Sequence, residues 1–346
     1  MNGITIQPSN SSGQKIGRSH LWIYRSITLL VFLMPFWFCR FASSSMNKNC
    51  LCSPWNFPLG EIPLLALPSL ASGNTVILKP SEVVPETGAL MVKTFQKILP
   101  EGVIQVAQGS GSVGASLVSH PDIDLVAMTG SSATGRKILE SAAPQLKRVI
   151  LEMGGKDPMI VCADADLQKA AKDAVTYSLS NTGQVCCSVE RIYVAEEVYD
   201  DFQELTKVVA RDFKVGNGMD PDNLVGPMVS NMQRDLVHEQ VEDAIAKGAK
   251  ILHKSEVPNQ SDASGSFYPV TVLADVDKNM QLFTKETFGP VVAISKFDGT
   301  EDEAVRLAND TGKCCIALYC IALQLGGSMN LQFCSISDKV SFSSSS

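Results

Sequence analysis

Between residues 53 and 312, short apolar runs alternate repeatedly with amphipathic stretches, and this alternation constrains the fold more than any single residue does. A strand that is followed by a helix and then by another strand closes most readily as a crossover unit, so the pattern predicts a mainly parallel sheet wrapped by helices. Strands are expected at 75–78, 103–107, 125–128 and 149–151, with helices over 59–71, 85–98, 112–119 and 131–142. Pro85 suits the first turn of its helix, where the missing N–H costs nothing. A second series begins at Pro158, with strands at 159–162, 191–194, 270–273 and 291–297 and helices over 166–180, 198–213, 231–247 and 301–309. The expected class is α/β, in two halves.

With 346 residues, 45% of them apolar and 19% charged, the chain has enough material for two domains and a large core. A net charge of -7 with scattered Lys and Arg leaves no electrostatic footprint for nucleic acid, and that class of partner is set aside. Of ten cysteines, only Cys162, Cys186 and Cys187 fall in the body, so the body suits a reduced compartment such as the cytoplasm. Cys50 and Cys52 have neither zinc-knuckle spacing nor a nearby His, and no metal site is expected.

The two ends differ in texture. Residues 1–52 read as an unrelated leader, in which basic residues precede an uncharged apolar run. The stretch 21–39 has two readings, a signal or membrane-anchor segment that would direct the protein to an organelle or membrane, or sequence without selected function at the edge of a gene model. Residues 313–346 read as a Cys- and Ser-rich tail without periodicity.

Two segments in the body carry chemistry. Gly183-Gln184-Val185-Cys186-Cys187 sets a candidate nucleophile in a small turn, and Glu152 closes an apolar run just before Gly154 and Gly155, which let backbone pass close to a ligand. A thiolate can attack a carbonyl, and a carboxylate can later activate the water that releases the acyl group.

Together with Pro54-Trp55-Asn56-Phe57-Pro58, Lys79-Pro80-Ser81-Glu82, Met128-Thr129-Gly130-Ser131 and Glu286-Thr287-Phe288-Gly289-Pro290, these segments resemble the aldehyde dehydrogenase superfamily, in its NAD-dependent betaine-aldehyde and semialdehyde branch. The likeness implies a doubly wound, Rossmann-like NAD-binding domain over 53–157 and an α/β catalytic domain over 158–312, both incomplete. It implies oxidation of a small-molecule aldehyde to a carboxylate with NAD. Cys186 would form a thiohemiacetal and then a thioester, Glu152 would act as general base and Asn56 as oxyanion donor. By the same likeness Trp55, Lys79, Ser81 and Glu82 lie on the cofactor, with the acid favouring NAD over NADP by accepting from a free 2'-hydroxyl. Gly130 and Ser131 match a pyrophosphate contact at a helix start. Glu286 and Phe288 match contacts to the nicotinamide ribose and ring. The run Gly109-Ser110-Gly111-Ser112-Val113-Gly114 also fits a dinucleotide fingerprint, but no acid follows at about 20 residues, so a tight-turn role is expected first.

The resemblance begins near residue 53 and ends near 312. The strand that should deliver Asn56 is therefore expected to be missing, as are the closing strands, and with them the family's homo-oligomer. The alternative reading is a catalytically inactive, truncated homologue that binds nucleotide or a full-length partner.

Overall fold

A computed structural model describes residues 47–258 and 265–312, and the backbone of 319–321. The chain divides into two compact units. The first comprises residues 47–53, 57–128 and 141–150; the second comprises 54–56, 129–140 and 151 onward.

In the first unit the elements run β1 (Lys48–Cys52), α1 (Pro58–Ala71), β2 (Thr75–Lys79), α2 (Pro85–Phe95), β3 (Ile104–Val106), α3 (Gly111–Ser119), β4 (Leu125–Gly130), α4 (Ser132–Ala142) and β5 (Arg148–Met153). The last residues of β4, most of α4 and the end of β5 pass to the second unit. The sheet order is β3-β2-β1-β4-β5, with β1 parallel to both β2 and β4. Leu51, Leu78, Ile104 and Leu125 from the strands meet Ile62 and Leu65 of α1 in one buried cluster. Pro58 and Pro85 each open a helix, as a residue without an N–H can.

This sheet corrects one expectation. Residues 48–52 are no part of an unrelated leader: they form the central strand, and the strand leading to Asn56 is present. The sequence hid it because KNCLC is short, carries two charged or amide residues and two cysteines, and adjoins a stretch of different texture. Cys50 and Leu51 are nonetheless fully buried, as a strand with neighbours on both edges and helices on its faces requires.

The second unit contains β6 (Asp157–Val161), α5 (Leu167–Leu179), β7 (Val189–Ala195), α6 (Tyr199–Ala210), α7 (Asn231–Ala246), β8 (Lys250–Lys254), β9 (Thr271–Ala274), α8 (Gln281–Thr284), β10 (Val291–Phe297), α9 (Glu301–Asn309) and β11 (Tyr319–Ile321). Its sheet order is β11-β6-β7-β10-β9-β8, parallel except for β8, which runs antiparallel to β9. Side chains alternate between two cores: Met159, Val161, Ile192 and Val194 face one, and Ile160, Tyr193, Leu273 and Ala293 the other. Alternation of apolar residues onto two buried faces is what a doubly wound sheet demands. Asp166, Ser230 and Thr300 cap α5, α7 and α9, each accepting the amide three residues on.

β11 corrects a second expectation, since three residues of the segment read as a structureless tail pair in parallel with β6. The apolar stretch 21–39 lies outside the described residues, and among the described residues no helix is long and apolar enough to cross a membrane.

Candidate active site

After α5 the backbone enters a left-handed turn. Asn181 (φ 50, ψ 38), Thr182 (φ 62, ψ 31) and Gly183 (φ 71) adopt it in succession. The first two carry a penalty of roughly 1–2 kcal/mol each, and a β-branched Thr there is an outlier. Specific bonds hold the turn. The Thr182 hydroxyl donates to the Gly226 carbonyl at 3.3 Å, and Gln184 Nε2 donates to the Asn181 carbonyl at 3.2 Å. Gln184 Oε1 accepts the Val229 amide at 2.9 Å. A Cβ at 183 would overlap the Gly289 carbonyl, so this position needs glycine both for its φ and for the close approach. The chain then passes through half-buried Cys186 and Cys187 into β7.

Two other segments converge on this turn. Asn56 Nδ2 donates to the Gln184 carbonyl at 3.1 Å, while Asn181 Nδ2 donates to the Asn56 carbonyl at 3.2 Å. Glu152, half-buried, is the penultimate residue of β5. A Cβ at Gly155 would sit 3.1 Å from the Cys186 carbonyl, so Gly155, three residues after Glu152, lies directly against the backbone of the candidate nucleophile. The structure thus gathers Cys186, Asn56 and the Glu152 segment around one turn.

Glu286 and Phe288 join them. The Glu286 carboxylate occupies the place a Cβ at Gly154 would take. Phe288, at φ 52, meets Trp55 edge-on with ring centroids 5.4 Å apart. Beneath lies a buried network that sequence reasoning missed. Lys156 Nζ donates to Glu190 Oε2 at 2.8 Å and to Thr287 Oγ1 at 3.1 Å. Glu190 Oε1 and Oε2 accept the Thr287 amide at 3.1 and 2.9 Å, and Oε1 accepts the Phe288 amide at 3.0 Å. Burial pushes the Lys156 ammonium below its usual value, against the opposing pull of Glu190. Arg191 completes the set, donating from Nε to the Lys156 carbonyl at 2.8 Å. Its Nη1 and Nη2 donate to the carbonyls of Leu307 and Ala308, at 3.1 and 3.0 Å, at the end of α9. The available signal was three charges inside otherwise apolar or glycine-flanked motifs.

In the first unit, Lys79 is almost wholly buried and donates to the exposed Glu82 carboxylate at 2.9 Å. A bond from its own backbone amide, and then Lys79, hold the Glu82 carboxyl below its usual range. The Ser81 hydroxyl accepts the Val83 amide at 3.3 Å and so shapes the turn into α2. Gly109, at φ 147, makes the turn before α3, as expected of that run. Gly114 faces the aliphatic stem of Lys79. In the second unit, Gly130 ends β4, and the Ser131 hydroxyl accepts the Thr134 amide at 3.2 Å. Ser131 therefore caps α4, and what it can offer an anion is chiefly backbone.

The aldehyde dehydrogenase family profile matches residues 50–318, and the chain belongs to that family. It is 38% identical over 263 residues to a 3-succinoylsemialdehyde-pyridine dehydrogenase from a Pseudomonas species, covering 75% of this chain and 55% of the relative. Among solved structures it resembles a mutant of aldehyde dehydrogenase C from Pseudomonas syringae in complex with NAD+ and octanal, at 33% identity and a TM-score of 0.76. That likeness covers 81% of this chain and 58% of the other. Betaine aldehyde dehydrogenase from Staphylococcus aureus in complex with NAD+ is similar at 33% identity and a TM-score of 0.76, over 81% of this chain and 56% of that one. The chain spans about half the length of the curated relatives it matches.

Proposed function

We propose that this chain carries the chemical machinery for oxidising a small polar aldehyde, of the betaine-aldehyde or semialdehyde type, to its carboxylate with NAD. One observation carries the reading: Asn56, Gly155 of the segment after Glu152 and Gly289 of the Glu286 segment all close on the turn that bears Cys186.

The chain's own residues divide the work. Glu152 takes the proton of the Cys186 thiol and releases it to solvent, and the thiolate so formed adds to the aldehyde carbon. The developing oxyanion is met by the second N–H of the Asn56 amide, the first being spent on the Gln184 carbonyl; such a donor contributes on the order of 3 kcal/mol of barrier. NAD, when bound, supplies the hydride acceptor. Glu152 then takes a proton from the water that attacks the resulting thioester and frees Cys186.

The residues present fit that cofactor. Ser53 Oγ, at the carboxyl end of the central strand, is buried and has no hydrogen-bond partner among the described residues. Open α/β sheets receive their ligands at that end of the strands, and an orphaned hydroxyl there suits a ribose or phosphate oxygen. In the same unit, the Lys79–Glu82 pair offers a cation and an exposed acid, which supports NAD over NADP.

The test is aldehyde-dependent NADH formation by the full chain, with Cys186→Ala as the blank. Turnover abolished in the variant is expected. Equal turnover in both would overturn the assignment of Cys186.

A further inference from the structure

Three motif segments meet at one buried ion pair, and the contacts are unequal. Lys156 follows the Glu152 segment, Glu190 follows the Cys186 segment, and Thr287 lies between Glu286 and Phe288. Thr287 is held at both ends, its hydroxyl accepting from Lys156 and its amide donating to both oxygens of Glu190. The amide of Phe288 is drawn to the same carboxylate. Phe288 itself sits at φ 52, a conformation that a bulky side chain does not choose unaided. Glu286 faces Gly154 on one side of Thr287, and the Phe288 ring meets Trp55 on the other.

We propose that Glu190 is a positioning residue for the nicotinamide half of the cofactor: by gripping the Thr287 and Phe288 amides it holds Phe288 left-handed and so fixes where the Glu286 carboxylate and the Phe288 ring point. The inference rests on the reading of Glu286 and Phe288 as cofactor contacts. Glu190 touches no ligand and acts through the backbone it binds. Lys156 neutralises a carboxylate that is 7% exposed and would otherwise be costly to bury.

Two double variants separate this role from plain stabilisation. In Lys156→Met with Glu190→Met both buried charges go together, so neither is stranded, and the two amides lose their acceptor. Lys156→Met with Glu190→Gln is equally uncharged but keeps one carbonyl oxygen facing those amides. Two measurements are made on each full-length protein: backbone amide exchange across residues 284–290, and the dissociation constant for NADH by fluorescence titration. The expected result is roughly tenfold or faster exchange confined to this segment, and about tenfold weaker NADH binding, in the Met–Met variant, with the Met–Gln variant close to wild type on both. Indistinguishable variants, or exchange raised evenly through the second unit, would overturn the proposal. If wild type itself fails to bind NADH, the cofactor reading falls and takes this inference with it. If wild type binds and the Met–Met variant binds equally well, only the inference falls.

Discussion

The side-chain amide of Asn56 donates to the carbonyl of Gln184, 128 residues later in the chain and two residues before Cys186, at 3.1 Å. One hydrogen bond thus fixes the candidate oxyanion donor to the loop that carries the candidate nucleophile. Asn56→Asp preserves the shape but sets an acceptor against a carbonyl and against the developing oxyanion. Aldehyde-dependent NADH formation should fall by about a hundredfold or more. An unchanged rate would remove Asn56 from the chemistry.

Cys186 should be alkylated before Cys187 and Cys162 when a thiol reagent is limiting. All three are half-buried, so exposure alone does not separate them. In the proposed chemistry Cys186 is the thiol that is deprotonated, and it alone of the three lies on the turn met by Asn56 and by the segment after Glu152. Peptide mapping decides the order, and Cys187 labelled first would contradict it.

Gly183→Ala adds a side chain at φ 71 and drives it into the Gly289 carbonyl, which as backbone has little room to yield. Together these should cost on the order of 3 kcal/mol. Urea unfolding measures the loss. A variant as stable as wild type would mean that the loop can rearrange freely.

Lys156→Met alone deprives the buried Glu190 carboxylate of its ion-pair partner, at a cost of about 3–5 kcal/mol, much of which a second change, Glu190→Gln, should restore because it removes the charge and keeps an acceptor for the Thr287 and Phe288 amides. The pH dependence has a definite sign. Burial lowers the Lys156 ammonium in the folded state, so in the window between that lowered value and the ordinary 10.5 the unfolded chain binds the proton more tightly. The contribution of this group to stability is therefore full above 10.5 and is lost as pH falls through the folded value. The stability difference between wild type and Lys156→Met should grow with rising pH in that window. Urea titrations at a series of alkaline pH values read it, and a flat difference would count against the lowered value.

Glu82→Ser should narrow the preference for NAD over NADP. The bond from its own amide and the contact with Lys79 keep Glu82 ionised throughout the neutral range, so its charge does not vary there. A 2'-phosphate gains its second charge near pH ~6, so discrimination by the wild type should grow as pH rises through that point. Calorimetric titrations with both cofactors at two pH values test this, and a pH-independent ratio would exclude direct repulsion.

Much of this architecture is legible in the sequence. Strands β2, β4 and β10 and helices such as α9 follow from runs long enough, and regular enough, to show their period. The failures have local causes. KNCLC lacks the β-branched run that marks a buried strand, KILHK is an edge strand whose outer face stays polar, and YCI is only three residues long. At the site, Cys186, Glu152 and Asn56 stood out because glycine, proline and a thiol are unusual together. Lys156 and Glu190 did not, since nothing in one dimension reveals that charges 34 residues apart share a buried bond to residue 287.

Among the described strands β1 comes first in the chain, yet it lies in the middle of its sheet, and both its neighbours are made later. β4, its second neighbour, starts at Leu125, 73 residues after Cys52. At ~5–20 residues per second of synthesis, that interval is roughly 4–15 s. Throughout it, the segment Cys50-Leu51, destined for complete burial, presents at least one unsatisfied edge to whatever passes. The central strand of the finished unit is thus the one left longest open to chaperones and to aggregation while the protein is being born.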